Sequence, residues 1–148
     1  MSDPRARIRH GEERGSASLE LVIVVPAVVA VIALLTAGWR LWSVRSQVRE
    51  AAAAGARAAT LARSGAEAEQ AASAAIDADL GTVGSSCTAP TVGIDVSAFS
   101  APPGQGGDVV VDVTCEVPFT DLLIPMPGAL TVEGRAGSRL DSFRERQP

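Results

Sequence analysis

The sequence has no lysine and no tyrosine, and its single histidine is His10. All 13 basic residues are arginine. Without lysine there is no Schiff-base chemistry and no phosphate-loop lysine. One histidine excludes a zinc site built on several histidines and argues against a Ser-His-Asp triad. Two cysteines, Cys87 and Cys115, are too few for a structural zinc finger. Aromatic residues make up 3% of the chain, so its soluble part has few large side chains for a core. Charged residues are 20%. At 148 residues and a net charge of -4, the chain has room for one small domain plus appendages. The composition speaks against an enzyme.

What is present is one extremely apolar segment. Residues 21–39 read LVIVVPAVVAVIALLTAGW and carry no charge. A helix of that length spans roughly 28 Å, close to the ~30 Å hydrocarbon core of a bilayer. Pro26 is the one breaker, and membrane helices tolerate it. Trp39 and Trp42 follow at the C-terminal end, where an interfacial aromatic belt places them. A buried core helix of this length normally shows a polar stripe, and none is visible. A cleaved secretory signal fits less well. The run exceeds the usual apolar region of such peptides, Leu35 is too bulky for a cut after Ala37, and Glu20 stands at the start of the run.

Charge does not orient the segment. Arg5, Arg7, Arg9 and Arg14 precede it, and Arg40, Arg45, Arg49 and Arg57 follow it. The cysteines break the tie. A disulfide between Cys87 and Cys115 is useful outside the cytoplasm, which places the N-terminus inside and the C-terminal part outside. Two buried free thiols are the alternative.

The junction before the apolar run reads Arg14-Gly15-Ser16-Ala17-Ser18-Leu19-Glu20. Each residue has an ordinary reading: a flanking charge, a loop glycine, an acid in the first turn of a helix. The ordered set of basic residue, glycine, four residues, glutamate and long apolar run resembles the class III signal of type IV pilin-like proteins. The resemblance implies that a prepilin peptidase cuts after Gly15 on the cytoplasmic side. Ser16 then becomes the N-terminus and Glu20 the fifth mature residue, the acid that attracts a neighbouring subunit's free amine during assembly. The stretch SASLELVIVVPAVVAVIALLTAGWRLW, with Glu20 followed by Pro26, is similar to the start of TadE-like proteins of Tad (Flp-type) pilus and secretion systems. Residues 130–139, LTVEGRAGSR, resemble the short strand with which many of them close. The resemblance covers roughly residues 11–60 and, more weakly, 108–145. Within that family the chain's size argues for a minor pilin or pseudopilin, because Flp-type major pilins are typically much shorter.

Beyond the apolar run the helical pattern continues. Leu41, Val44, Val48, Ala52, Gly55, Ala59 and Ala62 recur at spacings of three and four and mark one face. The reading carries this helix to about Arg63, with a break at Ser64-Gly65 and a second helical stretch ending near Gly81. The face is built of small residues, either to let helices approach closely or as plain alanine enrichment. It needs an outer domain or neighbouring subunits to pack on. From Gly81 alternation takes over, with strands at 92–96, 109–117 and 129–136, a Pro-Gly loop at 102–107, an apolar loop at 122–127 and a polar tail of about a dozen residues. The expected fold class is α+β, a long N-terminal helix packed on a small antiparallel sheet of three or four strands. The expected divisions are a cytoplasmic leader (1–15), a transmembrane helix (16–42), an extracytoplasmic Ala-rich helix (43–81) and a β-rich outer domain with its tail (82–148).

No chemistry emerges from the other motifs. Residues 77–81, DADLG, begin like a calcium loop but lack its later ligands. Residues 104–107, GQGG, lack the lysine of a phosphate loop. Asp95, Asp112 and Glu116 read as solvated sheet residues. No metal or cofactor is implied, no small-molecule substrate is identified, and nucleic acid is not a natural partner for an acidic chain with scattered arginines. The expected partners are the membrane, a prepilin peptidase, other pilin-like subunits and the Tad pilus machinery. The function read from the sequence is a structural or assembly subunit of that apparatus. The alternative is a single-pass anchored protein whose outer domain binds a ligand or an envelope partner.

Overall fold

The computed structural model describes residues 13–83, 86–102 and 105–141, with side chains from residue 20 onward except at 82–83. The fold is α+β. Helix α1 runs Glu13–Thr60 and α2 runs Gly65–Val83. Three antiparallel strands follow: β1 (Thr88–Asp95), β2 (Gly107–Pro118) and β3 (Ala129–Leu140), in the order β1-β2-β3. By internal contacts the chain forms two units that divide between Thr36 and Ala37.

In the first unit, the described residues belong to α1. The helix passes through Pro26 without interruption. The Thr36 hydroxyl donates to the carbonyl of Ile32, 2.7 Å away, so the one hydroxyl of residues 20–36 is satisfied by its own helix.

In the second unit, α1 ends at Thr60, three residues before the expected end. Leu61 and Ala62 donate to the carbonyls of Ala58 and Ala59, which tightens the last turn. The chain then reverses into α2. The Ser64 hydroxyl accepts from the Glu67 N–H at 3.3 Å, and the Glu67 carboxylate accepts from the Arg63 N–H at 2.9 Å. This is a capping arrangement on the pattern Ser-x-x-Glu. The break expected at Ser64-Gly65 is thus a tight turn between two helices, and the Ala-rich stretch over 43–81 spans both of them.

The small-residue face is packed within this unit. Val44, Val48, Ala51, Ala52 and Ala56 of α1 join Ile76 of α2, Val111, Val113, Cys115 and Val117 of β2, Leu122 and Val132 in one buried cluster. Ala59, Ala62, Ala68, Ala72 and Val109 form a second. Large side chains are scarce, so the backbones lie close. An added Cβ at Gly55 would stand 2.7 Å from Ile76 Cγ1, and one at Gly134 would stand 2.6 Å from the carbonyl oxygen of Val48. Glycine at these two positions is what allows α1 to approach α2 and β3.

Strand β2 is central and alternates as expected. Val109, Val111, Val113, Cys115 and Val117 are buried, while Asp108, Asp112 and Glu116 face outward. Strand β1 is longer than expected at its start, where its register against β2 shifts between Thr88 and Thr91. Ala89 has φ 47° there and Pro90 follows, an irregularity suited to an edge strand. Strand β3 continues four residues past Ala136. Gly137, Ser138, Arg139 and Leu140 pair with Val110, Val109, Asp108 and Gly107, so the polar tail begins later than expected. Residues 142–148 lie outside the described residues. The 102–107 loop signal falls in the β1–β2 connection, which also contains a 3-10 turn, Ser97–Ser100.

Candidate functional site

The junction residues sit at the start of α1. Gly15 and Ser16 are the third and fourth residues of the helix. Ser16 and Glu20 are four positions apart, about one helical turn. The leader residues before Glu13, with Arg5, Arg7, Arg9 and His10, lie outside the described residues. Glu20 is exposed.

After Glu20, the aliphatic side chains of residues 21–35 are exposed, with Ile23 at 71% and Leu34 at 73%. The helix holds a window of mean hydropathy 2.8, none of it buried, the one candidate membrane span among the described residues. A core helix would bury at least one face, and this segment buries none. A hydrocarbon phase accounts for both the length and the bare aliphatic surface. Pro26 has no N–H, so the Val22 carbonyl lacks its usual partner from that position.

Trp39 and Trp42 lie on the exposed side of α1 with ring centroids 5.6 Å apart, tilted by 38°. Between them Arg40 reaches across to the loop after β2, where its Nη1 donates to the Asp121 carbonyl oxygen at 2.6 Å. That loop opens with the 3-10 turn Phe119–Leu122 and is closed by the Phe119 N–H donating to the Gly128 carbonyl at 2.9 Å. Arg40 and Asp121 were not singled out by sequence reasoning. They are 81 residues apart, and no local pattern joins them.

The sulfurs of Cys87 and Cys115 are bonded, with Cα atoms 5.4 Å apart. Cys115 is fully buried on the inner face of β2. Beside the disulfide, the Thr88 hydroxyl donates to the Glu116 carbonyl at 2.9 Å. Together these contacts fasten the start of β1 to the end of β2.

The carboxylates do not converge. Asp112 faces Arg135 at 3.5 Å and Asp108 faces Arg139 at 3.9 Å, both as cross-strand neighbours of β2 and β3. All four side chains are largely exposed, so each pair contributes little to stability. The arginines of these pairs were not anticipated. Asp95 accepts a hydrogen bond from the Ser97 N–H at 2.9 Å. Hydrogen bonds from the Ser97 side chain and then its backbone hold the Asp95 carboxyl below the usual value of 3.8. Asp77 and Asp79 lie inside α2, so DADLG is helix and not an ion-binding loop. Among the described residues no group of three or more His, Cys, Asp or Glu side chains could hold a metal ion. Of the GQGG fragment, Gly104 lies outside the described residues, and Gly107 packs against Ala98.

Residues 15–57 match the family model of TadE, described as TadE-like protein. The match begins at the junction glycine and takes in Glu20, Pro26, the apolar run and the lower part of the small-residue face. It covers less than a third of the chain. No curated protein and no solved structure matches the sequence.

Proposed function

We propose that this chain is a membrane-anchored structural or assembly subunit of a Tad-type pilus or secretion apparatus, released from its leader by a prepilin peptidase between Gly15 and Ser16. The observation that carries this reading is the TadE-like match of residues 15–57, which opens on Gly15 and holds Glu20 at the mouth of a bare apolar helix. In this reading α1 crosses the inner membrane with its N-terminus in the cytoplasm. The second unit stands outside, where its disulfide is stable.

The mechanism needs only the junction and the helix. Cleavage exposes an ammonium on Ser16. A carboxylate at the membrane edge is partly desolvated, so an ammonium from a neighbouring subunit interacts with it more strongly there than in bulk water. Glu20 then registers one apolar helix against the next. Because Gly15 and Ser16 lie within the first turns of α1, the peptidase must unwind those turns to reach the bond. The first four N–H groups of a helix make no intrahelical bond, so few hydrogen bonds are lost in that unwinding.

A second reading keeps the chain as a single-pass anchor that never assembles. It is favoured by the packing of the small-residue face onto the chain's own α2 and sheet, which leaves that face no need of a neighbour. N-terminal sequencing of membrane-extracted protein and the Glu20→Val variant separate the two. The assembly reading expects a mature chain beginning at Ser16. It also expects Glu20→Val protein that is inserted and cleaved but no longer co-purifies with the apparatus. An uncleaved chain in a host with an active prepilin peptidase, or a Glu20→Val variant that assembles normally, overturns it.

A further inference from the structure

The loop after β2 carries a surface that neither the fold nor the proposed assembly uses. Residues 122–132 contain no charge. Leu123 is 61% exposed and Met126 56% exposed, with Pro125 and Pro127 beside them, also exposed. The loop is nevertheless well tied. Leu123 donates its N–H to Thr120, Ile124 donates to Phe119, Met126 donates to Ile124, and Phe119 donates to Gly128. Its exposed tip therefore keeps its backbone donors occupied, the condition for entering an apolar phase without leaving polar groups bare. Leu123 adopts a left-handed conformation, φ 61° and ψ 23°, that glycine or asparagine takes more easily. A leucine that is both exposed and left-handed serves neither packing nor backbone geometry.

The position of the loop says what covers it. Arg40 holds the loop's base through the Asp121 carbonyl, and Trp39, Arg40 and Asp121 line one cavity. The base of the loop thus stands beside Trp39, whose ring centroid lies 5.6 Å from that of Trp42; the two form the aromatic pair where the apolar helix reaches the interface. We propose that the loop tip, residues 123–127, is a second membrane contact, with Leu123 and Met126 entering the interfacial layer of the bilayer that α1 crosses, while Leu122 stays in the core. The proposal rests on α1 being a membrane span. The loop then adds a second lipid contact to that of the helix. A helix alone leaves its outer domain free to tip relative to the membrane plane, whereas a second contact limits that tilt.

Brominated lipids test this on the full chain, disulfide intact, in phosphatidylcholine–phosphatidylglycerol vesicles with bromines near the interface. In the parent protein, Trp39 and Trp42 emission is expected to be quenched, which checks the span. Met126→Trp, in a Trp39→Phe/Trp42→Phe background, is then expected to emit blue-shifted light and to lose intensity to the bromines. Ser100→Trp in the same background, on the exposed 3-10 turn, is expected to stay red and unquenched. Leu123→Trp repeats the test on a second side chain, so that one misfolded variant does not decide it. If the parent is quenched while both loop variants stay red, or turn blue without bromine quenching because protein covers them, the loop contact is wrong and the span stands. An unquenched parent overturns the span and the loop contact together.

Discussion

Gly134→Ala adds a single methyl group where β3 meets α1, and the result depends on which of two opposing effects is larger. The new Cβ would lie 2.6 Å from the Val48 carbonyl oxygen, 2.7 Å from its carbonyl carbon and 2.8 Å from the Arg49 nitrogen. Ordinary contact begins at 3.4 Å. All three atoms are helix backbone and cannot rotate aside, so strand or helix must move by roughly 0.8 Å. Overpacking of this kind costs about 1–3 kcal/mol. Against it, replacing glycine stiffens the unfolded chain, which is worth about 0.4–1 kcal/mol. The clash wins, with a net loss of about 1–2 kcal/mol. Native-state hydrogen exchange of the slowest β2 amides, on detergent-solubilised full-length protein, reads this as exchange about 5–30-fold faster. Gly137→Ala is the control on the same strand. Its Cβ would meet nothing nearer than the Val109 carbonyl at 3.8 Å. It gains the unfolded-state effect without the clash, so exchange is expected to be unchanged or slower. If Gly134→Ala exchanges no faster than the parent, α1 does not lie against β3 as described.

Three further outcomes follow from local contacts. Replacing both Cys87 and Cys115 by alanine opens a loop of sequence separation 28 and is expected to cost about 3.5 kcal/mol by the loop-entropy relation, read as a lower unfolding midpoint; an unchanged midpoint refutes it. Ser64→Ala removes the oxygen that accepts from Glu67 N–H and is expected to cost about 1 kcal/mol, with faster exchange confined to the first turn of α2. For Asp95, whose carboxyl is held below 3.8, the contribution to stability is present above that value and lost as pH falls through its lowered pKa. The Ser97 amide resonance is therefore expected to titrate with a midpoint below 3.8, and a midpoint at or above it removes the assigned hydrogen bonds.

Much of this architecture is written in local periodicity. The face marked by Leu41, Val44, Val48, Ala52, Gly55, Ala59 and Ala62 is buried or half-buried at every position. The alternation of β2 is buried at each predicted residue. Periods of 3.6 and 2 report which side of an element meets apolar matter, and that is settled residue by residue. The turn at 61–64 is also legible: the break expected at Ser64-Gly65 is where α2 begins, and Ser64 followed by Glu67 is the capping signal that fixes it. Pairing was less accessible. Nothing near Ala136 says that β3 continues to Leu140, because Gly137, Ser138 and Arg139 have weak strand character alone and are held by Gly107–Val110 across the sheet.

The same distinction bears on the functional residues. Glu20, Pro26 and the Gly15–Ser16 bond could be singled out because their chemistry is sequential: a junction, an acid and an apolar run in fixed order. Arg40 and Asp121 could not, because their contact exists only after the sheet has brought residue 121 back to the level of residue 40. Gly134 is an intermediate case. The strand motif around it was noticed for its likeness to other chains, yet a glycine in a strand costs stability unless a close approach requires it. Here Val48 and Arg49 supply that approach. The small residues of this chain therefore have one physical role, which is to let backbones approach where few large side chains exist to fill a gap. In a core without tyrosine or tryptophan, the disulfide and these close crossings replace the stabilisation that aromatic side chains would otherwise provide.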